Sequence, residues 1–297
     1  MPVLFTRELI RALDPGPEEK ADARPWDRCR ARVVPVQQLA SGGKWRAGSM
    51  RALAEPMLLW FTRGQGRITI SGLRRGYGVH NAIHVPAGVM HCVEIGPQTF
   101  GSAVFFGYEP NLALPRAPLH LRVRDVAAQA ALSSLIENAQ RELASAAPLS
   151  RQAAWHHLGL IGIWLMRHEN LAQESPGPDA AQRLVTRYTD LIECTLGSGK
   201  GVAELAAELG VTPTHLTRAC QKCCGRSAMA LLQDRLMFEA RLLLAETRLP
   251  VAEIARRLGY GSAGYFTRAF ERQTGQTPSA FRKVNRRDPV TDATKSG

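Results

Sequence analysis

The pattern of hydrophobic and polar positions repeats itself in the C-terminal third of the chain. Apolar residues recur there at the i, i+3, i+4, i+7 spacing of one helical face, and in the first copy they are Val202, Leu205, Ala206 and Leu209. The second copy begins with the same spacing at Val251. Each copy then reaches a glycine, where a helix can end, and continues into a second helical segment. The repeat predicts two helix-turn-helix units, at about residues 202–223 and 251–273.

The second helix of each unit is predicted to bury one face and expose the other. Thr212 and Pro213 suit the start of this helix in the first unit, and Ser262 is the capping candidate in the second. The side chains expected inside are Leu216, Ala219 and Cys220 in the first unit, and Phe266, Ala269 and Phe270 in the second. The outward positions are Thr214, Thr217 and Arg218, and then Gly264, Thr267 and Arg268. Exposed hydroxyls and arginines on a short helix suit base edges and phosphates.

Residues 259–283, GYGSAGYFTRAFERQTGQTPSAFRK, resemble the second helix-turn-helix of the AraC/XylS family of bacterial transcription regulators. The first repeat, with a long joining helix over residues 227–246, resembles the rest of that family's DNA-binding module. The resemblance implies seven helices, with two recognition helices that enter successive major-groove segments of promoter DNA. The DNA-binding candidates on this basis are Thr212, Thr214, His215, Thr217, Arg218, Lys222, Ser262, Gly264, Tyr265, Thr267, Arg268 and Arg272.

Two departures from the family pattern distinguish the two units. Gly264 provides no side chain where many relatives have a polar one, so we expect readout by the second unit to depend mainly on Arg268. Cys220 occupies the place that Phe270 fills in the second copy, which predicts a less tightly packed first unit. We therefore expect the first recognition helix to carry more of the base discrimination and the second to contribute positioning.

From about residue 29 to residue 106 the chain has the pattern of an antiparallel β-structure. Short alternating or apolar runs, such as 67–71, 83–85 and 102–106, are separated at close intervals by Gly and Pro. This pattern predicts a small barrel or sandwich. Within it, residues 84–91 (HVPAGVMH) resemble the second motif of the cupin family. A cupin-like sensor barrel is what many AraC/XylS members carry at this end.

Two kinds of site are compatible with a cupin-like barrel. A metal-dependent cupin usually has an HxH motif and a carboxylate from an earlier strand, which are missing before His91, although His80, His84 and His91 leave a facial metal site open. We favour a metal-free pocket for a small organic effector, because such pockets are mostly apolar with a few placed polar groups. The lining candidates are Trp45, Met57, Trp60, Phe61, His84, His91, Phe105 and Phe106.

The segment between barrel and repeat divides into a helical hairpin and a linker. Residues 125–146 and 150–171 each carry apolar side chains at helical spacing. We expect residues 121–172 to form a hairpin that packs on the barrel of residues 1–120 and, as in the resembling family, serves as a dimer interface. Residues 173–179 are polar with Pro and Gly, which is typical of a linker, and the DNA-binding domain is expected at 180–287.

Composition supports a cytoplasmic protein with a polyanionic partner. The net charge is +12 and the isoelectric point is near 10.0, but the two parts of the chain share this charge equally. The six cysteines show no disulfide spacing, and Cys220, Cys223 and Cys224 leave a redox or zinc role open, although zinc needs two more ligands. No apolar run approaches the roughly 18 residues of a membrane span, and residues 1–14 lack the apolar core of a signal peptide.

These features predict a two-domain α+β protein: an N-terminal cupin-like β-barrel with a helical hairpin, and a C-terminal all-α domain with two helix-turn-helix units. We expect a homodimeric transcription activator controlled by a small-molecule effector, with promoter DNA and RNA polymerase as partners and no membrane partner. We expect no enzymatic activity, no catalytic residues, no metal and no other cofactor. The competing hypothesis is a metal-dependent cupin enzyme that carries a DNA-binding domain.

Overall fold

The structure, a computed structural model, describes residues 26, 30–41, 43, 45–107, 112–172 and 177–285. Most of the predicted linker (173–176), the last basic residues of the predicted DNA-binding domain (286–287) and residues 1–25 of the predicted barrel lie outside this description. Within the described ranges, no helix combines the length and the apolar character needed to cross a membrane.

Two antiparallel sheets form the N-terminal part of the described chain. The strands are β1 (Arg32–Pro35), β2 (Met57–Arg63), β3 (Gly66–Ile70), β4 (Leu73–Tyr77), β5 (Asn81–Val85), β6 (His91–Glu94), β7 (Phe100–Phe105) and β8 (Leu119–Arg122). One sheet has the order β1-β7-β2-β5-β8 and the other the order β4-β3-β6. A 3₁₀ turn (Val36–Ala40) and the short helix α1 (Trp45–Gly48) lie between β1 and β2. The predicted antiparallel architecture is confirmed.

Strand β2 is buried on both faces, which explains its continuous apolar sequence MLLWF. Alternate side chains point to opposite faces of a strand. Met57, Leu59 and Phe61 therefore face the space between the two sheets. Leu58 and Trp60 face the other way, toward the helical hairpin.

The hairpin consists of α2 (Val126–Leu143) and α3 (Ser150–Ala172). Asp125 caps the first of these helices, because its carboxylate accepts a hydrogen bond from the backbone N–H of Ala128. The apolar stripes of both helices cover the outer face of the five-stranded sheet, through Leu132, Ile136, Leu158, Ile161 and Leu165. Both helices occur where the apolar spacing predicts them.

Within residues 177–285 the structure describes seven helices, the number that the family resemblance implies. They are α4 (Ala180–Thr195), α5 (Val202–Glu208), α6 (Pro213–Cys224), α7 (Ala228–Glu246), α8 (Val251–Arg257), α9 (Ala263–Thr274) and α10 (Pro278–Asn285). The first helix-turn-helix unit is α5–α6 and the second is α8–α9. Helix α7 joins them and contributes to the apolar core of each unit.

The β-structure packs directly against the helical domain. Met50, Met90 and Cys92 belong to the same buried apolar cluster as the core of the first unit. At the β3–β4 turn, a Cβ atom on Gly72 would lie 2.3 Å from Cγ1 of Val185 on α4, so only glycine fits this approach. The two parts of the protein therefore share a buried apolar cluster.

A buried ionic triad fixes α4 against α7. Arg235 binds both carboxylate oxygens of Glu193, at 2.7 and 3.1 Å, and Oε2 of Glu239 at 2.7 Å. The three side chains are no more than 5% exposed. Burial opposes the charge on Arg235, but the two carboxylates outweigh it and raise the pKa of the guanidinium. Arg235 therefore stays charged. Among the described ion pairs, it is the only cation that binds Glu193 and Glu239.

We expect Arg235→Ala to lower the free energy of unfolding by about 3–5 kcal/mol, because it leaves Glu193 and Glu239 buried without their cation. Urea unfolding followed by circular dichroism measures this loss. Arg256→Ala is the control, since Arg256 pairs with Glu253 on the surface and is 73% exposed. An Arg235→Ala protein as stable as the control would contradict this account of the triad.

Candidate DNA-binding face

Glycines and hydroxyl caps set the geometry of both helix-turn-helix units. Gly210 and Gly259 have φ values of 72° and 76°, in the left-handed region that lets the chain turn after α5 and α8. Thr212 and Ser262 then cap α6 and α9, because their hydroxyl oxygens accept hydrogen bonds from the backbone N–H groups of His215 and Tyr265. Each hydroxyl keeps its proton, which remains available for donation to a phosphate oxygen.

The inward face of α6 matches the prediction, and that of α9 matches it with one exception. Leu216, Ala219 and Cys220 are buried in the first unit. Phe266 and Phe270 are fully buried in the second, where their ring centroids lie 5.8 Å apart. Ala269 was expected inside but is half-buried, because the two large phenylalanine rings close the core without it.

The outward face of α6 exposes the chemistry that DNA recognition needs. Thr214, His215 and Arg218 are exposed, and Thr217 is half-buried beside them. Arg218 forms no ion pair with any described residue, so its guanidinium is free to bind a base edge or a phosphate. Lys222 differs, because its ammonium lies 2.7 Å from the carboxylate of Asp179, the residue that caps α4. The ammonium of Lys222 must therefore leave Asp179 before it can bind a DNA phosphate.

The outward face of α9 is built around Gly264 and Arg268. The guanidinium of Arg268 folds back over the first turn of the helix, since a Cβ atom on Gly264 would lie 3.8 Å from its Nη1. Gly264 has no side chain to fill this part of the surface. Tyr265 is 56% exposed, and Arg272 is exposed one turn beyond Arg268. Thr267 is half-buried. Arg268 forms no ion pair within the described part of the chain.

Together these faces place the DNA-binding candidates in two equivalent patches. In each patch a hydroxyl cap stands at the helix N-terminus and an unpaired arginine stands on the exposed face. The positive end of a helix dipole adds to the attraction for phosphate at each N-terminus. The arrangement suits binding to a polyanion and includes no obvious nucleophile or acid–base pair.

The candidates for an effector pocket lie in three different places. Met57, Phe61 and Phe105 face the space between the sheets, where Phe61 stacks on Tyr77 with ring centroids 3.9 Å apart. Trp60, His84 and Phe106 lie on the opposite side of the same sheet, facing the hairpin. There Trp60 donates a hydrogen bond to Oγ of Ser133 at 3.1 Å.

Trp45 lies outside both of these regions, whereas His91 pairs across the strands with Ile70, a residue that lines the space between the sheets. Trp45 packs on Phe238 of α7 and on Phe281 of α10, beside the second helix-turn-helix unit. The Nδ1–H of His91 donates to the carbonyl of Val89, so Nε2 accepts from Nε of Arg51 at 3.4 Å. A single pocket lined by all of the candidates is therefore not formed, because strand alternation and the docked helical domain separate them.

The histidines that left a metal site open do not converge either. Nε2 of His84 lies 3.1 Å from the carbonyl of Pro115, while His80 stacks on Trp60. Across the described ranges, no group of three or more His, Cys, Asp or Glu side chains is placed to hold a metal ion. The competing hypothesis of a metal-dependent enzyme gains no support from this geometry.

The cysteines of α6 are poorly suited to redox chemistry. Cys220 and Cys224 are buried, and Cys223 is half-buried. Burial, together with the neighbouring Cys224 and Cys223 thiols, raises the pKa of Cys220 to about 12. Because thiolates are the reactive form, a thiol kept protonated in this way reacts slowly with oxidants.

The sequence did not identify the residues that join the β-structure to the helical domain. The carboxylate of Asp234 on α7 accepts hydrogen bonds from the backbone N–H of Met50 and from Arg226, both at 2.9 Å. One signal was available, since Asp234, Arg235 and Glu239 are charged positions within the largely apolar segment 228–246. Charged residues within an apolar helix are buried only when they are paired.

Comparison with known proteins supports the DNA-binding geometry. Residues 205–284 match the family model described as a helix-turn-helix domain. The arabinose operon regulatory protein of Escherichia coli (strain K12) is 28% identical over 125 residues, which are 42% of this chain and 43% of that protein. The HTH-type transcriptional activator RhaR of Shigella flexneri serotype 5b is 23% identical over 179 residues, 60% of this chain and 63% of that protein. The chain thus spans less than two thirds of the length of these relatives.

Solved structures include similar proteins. The C-terminal domain of AraT, a response regulator from Geobacillus stearothermophilus, is 30% identical, covers 40% of this chain and 98% of its own, and has a TM-score of 0.37. ToxT from Vibrio cholerae is 10% identical, covers 87% of this chain and 98% of its own, and has a TM-score of 0.40.

We expect stability to fall as the pH decreases from 7.5 to 5.5, because two buried histidines and the half-buried His120 stay neutral in the folded protein. Burial, as the main cause, lowers the pKa of His84 and His120 to about 4 and that of His91 to about 3. The unfolded chain binds a proton at each of them below about pH 6.5, so each lowers the free energy of unfolding by roughly 1 kcal/mol over this interval.

Urea unfolding at the two pH values measures this loss. In His84→Gln the loss of unfolding free energy is expected to be smaller by the roughly 1 kcal/mol that one histidine contributes. His215→Gln changes an exposed histidine and is the control, which is expected to show the same loss as the original chain. If His84→Gln has the full pH dependence of the original chain, His84 is not held neutral by burial.

Proposed function

Because this chain belongs to the AraC family of bacterial transcription regulators, we propose that it binds promoter DNA through both helix-turn-helix units and regulates transcription there. The observation that carries this proposal is the pair of equivalent patches. Arg218 and Arg268 occupy corresponding exposed positions on α6 and α9, and neither is neutralised by a described acid. Arginine is the side chain best suited to bidentate contact with guanine and to phosphate contact.

The two recognition helices have different roles in this proposal. On α6, Thr214, Thr217 and Arg218 read base edges, while His215 contacts the backbone nearby. On α9, Arg268 is the main reader, since Gly264 provides no side chain. Tyr265 and Arg272 supply apolar and phosphate contacts around it. Thr212 and Ser262 donate their hydroxyl protons to phosphates and fix the register of each helix on the duplex.

The N-terminal part serves effector control in our proposal. A small molecule binds in the cupin-like β-structure, where the inner face of Met57, Phe61 and Phe105 is the remaining part of the predicted lining. Because this part is packed against the helical domain, a ligand that favours one packing arrangement over another shifts the DNA-binding equilibrium. The regulator acts in the cytoplasm as an activator that recruits RNA polymerase. It uses no metal and catalyses no reaction.

A second copy of the chain is the proposed partner of α3. Leu160, Ile163 and Met166 are 47%, 42% and 45% exposed and lie on one side of this helix. An apolar stripe exposed on a hairpin helix is typical of a surface that is buried by association. We propose that the hairpin of residues 121–172 forms a homodimer through this stripe, so that two DNA-binding domains act on one promoter.

Arg218→Ala and Arg268→Ala are each expected to lower the affinity for specific DNA by roughly 1–3 kcal/mol, because each removes a direct contact with a base or a phosphate. The probe is a duplex selected in vitro from a random library by the full-length protein, and fluorescence anisotropy measures the affinity. Arg122→Ala removes an equally charged, exposed residue from β8 and is expected to bind as tightly as the original chain. If both test variants bind like this control, the assignment of the recognition helices is wrong.

Ile163→Glu is expected to weaken dimerisation by about tenfold or more, because it places a charge at the centre of the apolar stripe. Sedimentation equilibrium measures the dissociation constant. Ser134→Glu adds the same charge at an exposed polar position of α2 and is expected to leave it unchanged. A dimer of undiminished affinity in Ile163→Glu would show that α3 is not the interface.

A further inference from the structure

A seven-residue segment of the β-structure, residues 45–51, packs into the apolar clusters of both helix-turn-helix units. We call it the bridge segment; it comprises α1 and the three residues after it, with the sequence WRAGSMR. Its first residue, Trp45, packs on the second unit, and its sixth, Met50, is fully buried in the core of the first. The segment therefore crosses α7, the helix that joins the two units.

Contacts at the Trp45 end are aromatic and reach the second recognition helix. The Trp45 ring lies 5.6 Å from that of Phe238 on α7 and 5.8 Å from that of Phe281 on α10. The Phe281 ring lies 5.6 Å from Phe270, a core residue of α9. Displacement of Trp45 thus acts on α9 through a continuous series of packed rings.

The Met50 end is held by a buried acid of α7. Asp234 accepts hydrogen bonds from the backbone N–H of Met50 and from Arg226, which follows the last turn of α6. Between the two ends, Nη1 of Arg241 donates to Oγ of Ser49 at 3.2 Å. One face of α7 contacts the bridge segment, because the i, i+4, i+7 spacing of Asp234, Phe238 and Arg241 places them on the same side of the helix.

Arg51 anchors the bridge segment to the β-structure. Its backbone forms two hydrogen bonds with that of His91, at 2.9 and 2.7 Å. Its buried guanidinium donates to the carbonyl of Arg46 and to the ring of His91. The segment is therefore a fixed part of the β-structure.

A close backbone approach joins the two units in addition to α7. A Cβ atom on Gly259, at the turn of the second unit, would lie 2.3 Å from the backbone nitrogen of Gly199, in the loop before α5. Glycines provide close backbone approach but no side-chain packing. The bridge segment supplies apolar and hydrogen-bonded contacts on both sides of α7.

We propose that the bridge segment sets the relative orientation of the two recognition helices, so that the β-structure takes part in selecting the spacing between the two DNA segments that are read. Trp45 is the positioning residue for the second unit. This inference rests on the proposed function, since it requires that both units bind DNA. It gives the N-terminal part a role in specificity that is separate from effector binding.

Three duplexes test the proposal with the full-length protein. The first is the duplex selected in vitro, the second has the segment contacted by the second unit scrambled, and the third has one base pair inserted between the two segments. The segment of the second unit is identified as the one whose footprint Arg268→Ala loses. Fluorescence anisotropy gives each affinity.

Trp45→Ala is expected to weaken binding to the selected duplex about tenfold, because a loosely held second unit has a lower effective concentration at its segment. Binding to the scrambled duplex is expected to stay unchanged, and the penalty for the inserted base pair is expected to shrink. Trp45→Phe retains an aromatic ring and is expected to recover most of the affinity. Trp45→Leu is prepared as well, and its affinities for the three duplexes are used instead if circular dichroism shows that Trp45→Ala does not fold.

Three results overturn the inference. If Trp45→Ala binds the selected duplex as tightly as the original chain and has the same penalty for the inserted base pair, the bridge segment does not position the units. If Trp45→Ala binds the selected duplex more tightly, the bridge segment holds the units away from the DNA-binding arrangement. An equal loss on the selected and scrambled duplexes also contradicts it, because a positioning role is specific to the second unit. All these outcomes leave the proposed function standing, which fails only if Arg218→Ala and Arg268→Ala have no effect.

Discussion

Helix α7 carries three ionised side chains into the interior, and their pairing determines how the other parts of the protein are arranged. A buried charge is strongly destabilising unless another group satisfies it. Arg235 is satisfied by Glu193 of α4 and Glu239 of α7 itself. Asp234 is satisfied by Arg226 and by the backbone of Met50 in the β-structure. The helix therefore joins the two DNA-binding units and also fixes two further elements against them.

This arrangement accounts for the different character of the two units. The first unit shares its apolar core with Met50, Met90 and Cys92, so the β-structure compensates for the small side chain of Cys220. The second unit has a core of phenylalanine rings and meets the β-structure through Trp45 alone among the residues of its cluster. The first recognition helix is thus held by a shared core, whereas the second unit meets the β-structure at its edge, through the packing of Trp45 on Phe238 and Phe281 and the ion pair of Arg46 with Glu246.

The helix-turn-helix units were predictable from the sequence in nearly every detail. Their apolar spacing, their hydroxyl caps and their turn glycines are all local signals, and they agree with one another. The class of the N-terminal sheets was predictable for the same reason. The alternation within MLLWF also places Met57 and Trp60 on opposite sides of the sheet, because alternate residues of a strand face opposite sides. Grouping the pocket candidates by residue type instead puts both on one surface.

The contact between the two parts had only a partial local signal. The hydrogen bond from Met50 to Asp234 joins residues 184 positions apart. Asp234 stands out as a charge within a largely apolar helix, but nothing in the sequence identifies Met50 as its partner. The sequence therefore predicts Trp45 as a member of a barrel pocket, whereas it packs on Phe238 and Phe281 beside the second unit. Such long-range packing depends on the fit of complete folded surfaces, which spacing along the chain does not encode.

Hydroxyl-radical footprinting of the full-length protein on its selected duplex measures directly whether both units bind DNA together. The structure leads us to expect two protected segments on one face of the duplex, about one helical turn apart. A single protected segment would contradict the account, because it would mean that only one recognition helix engages the major groove.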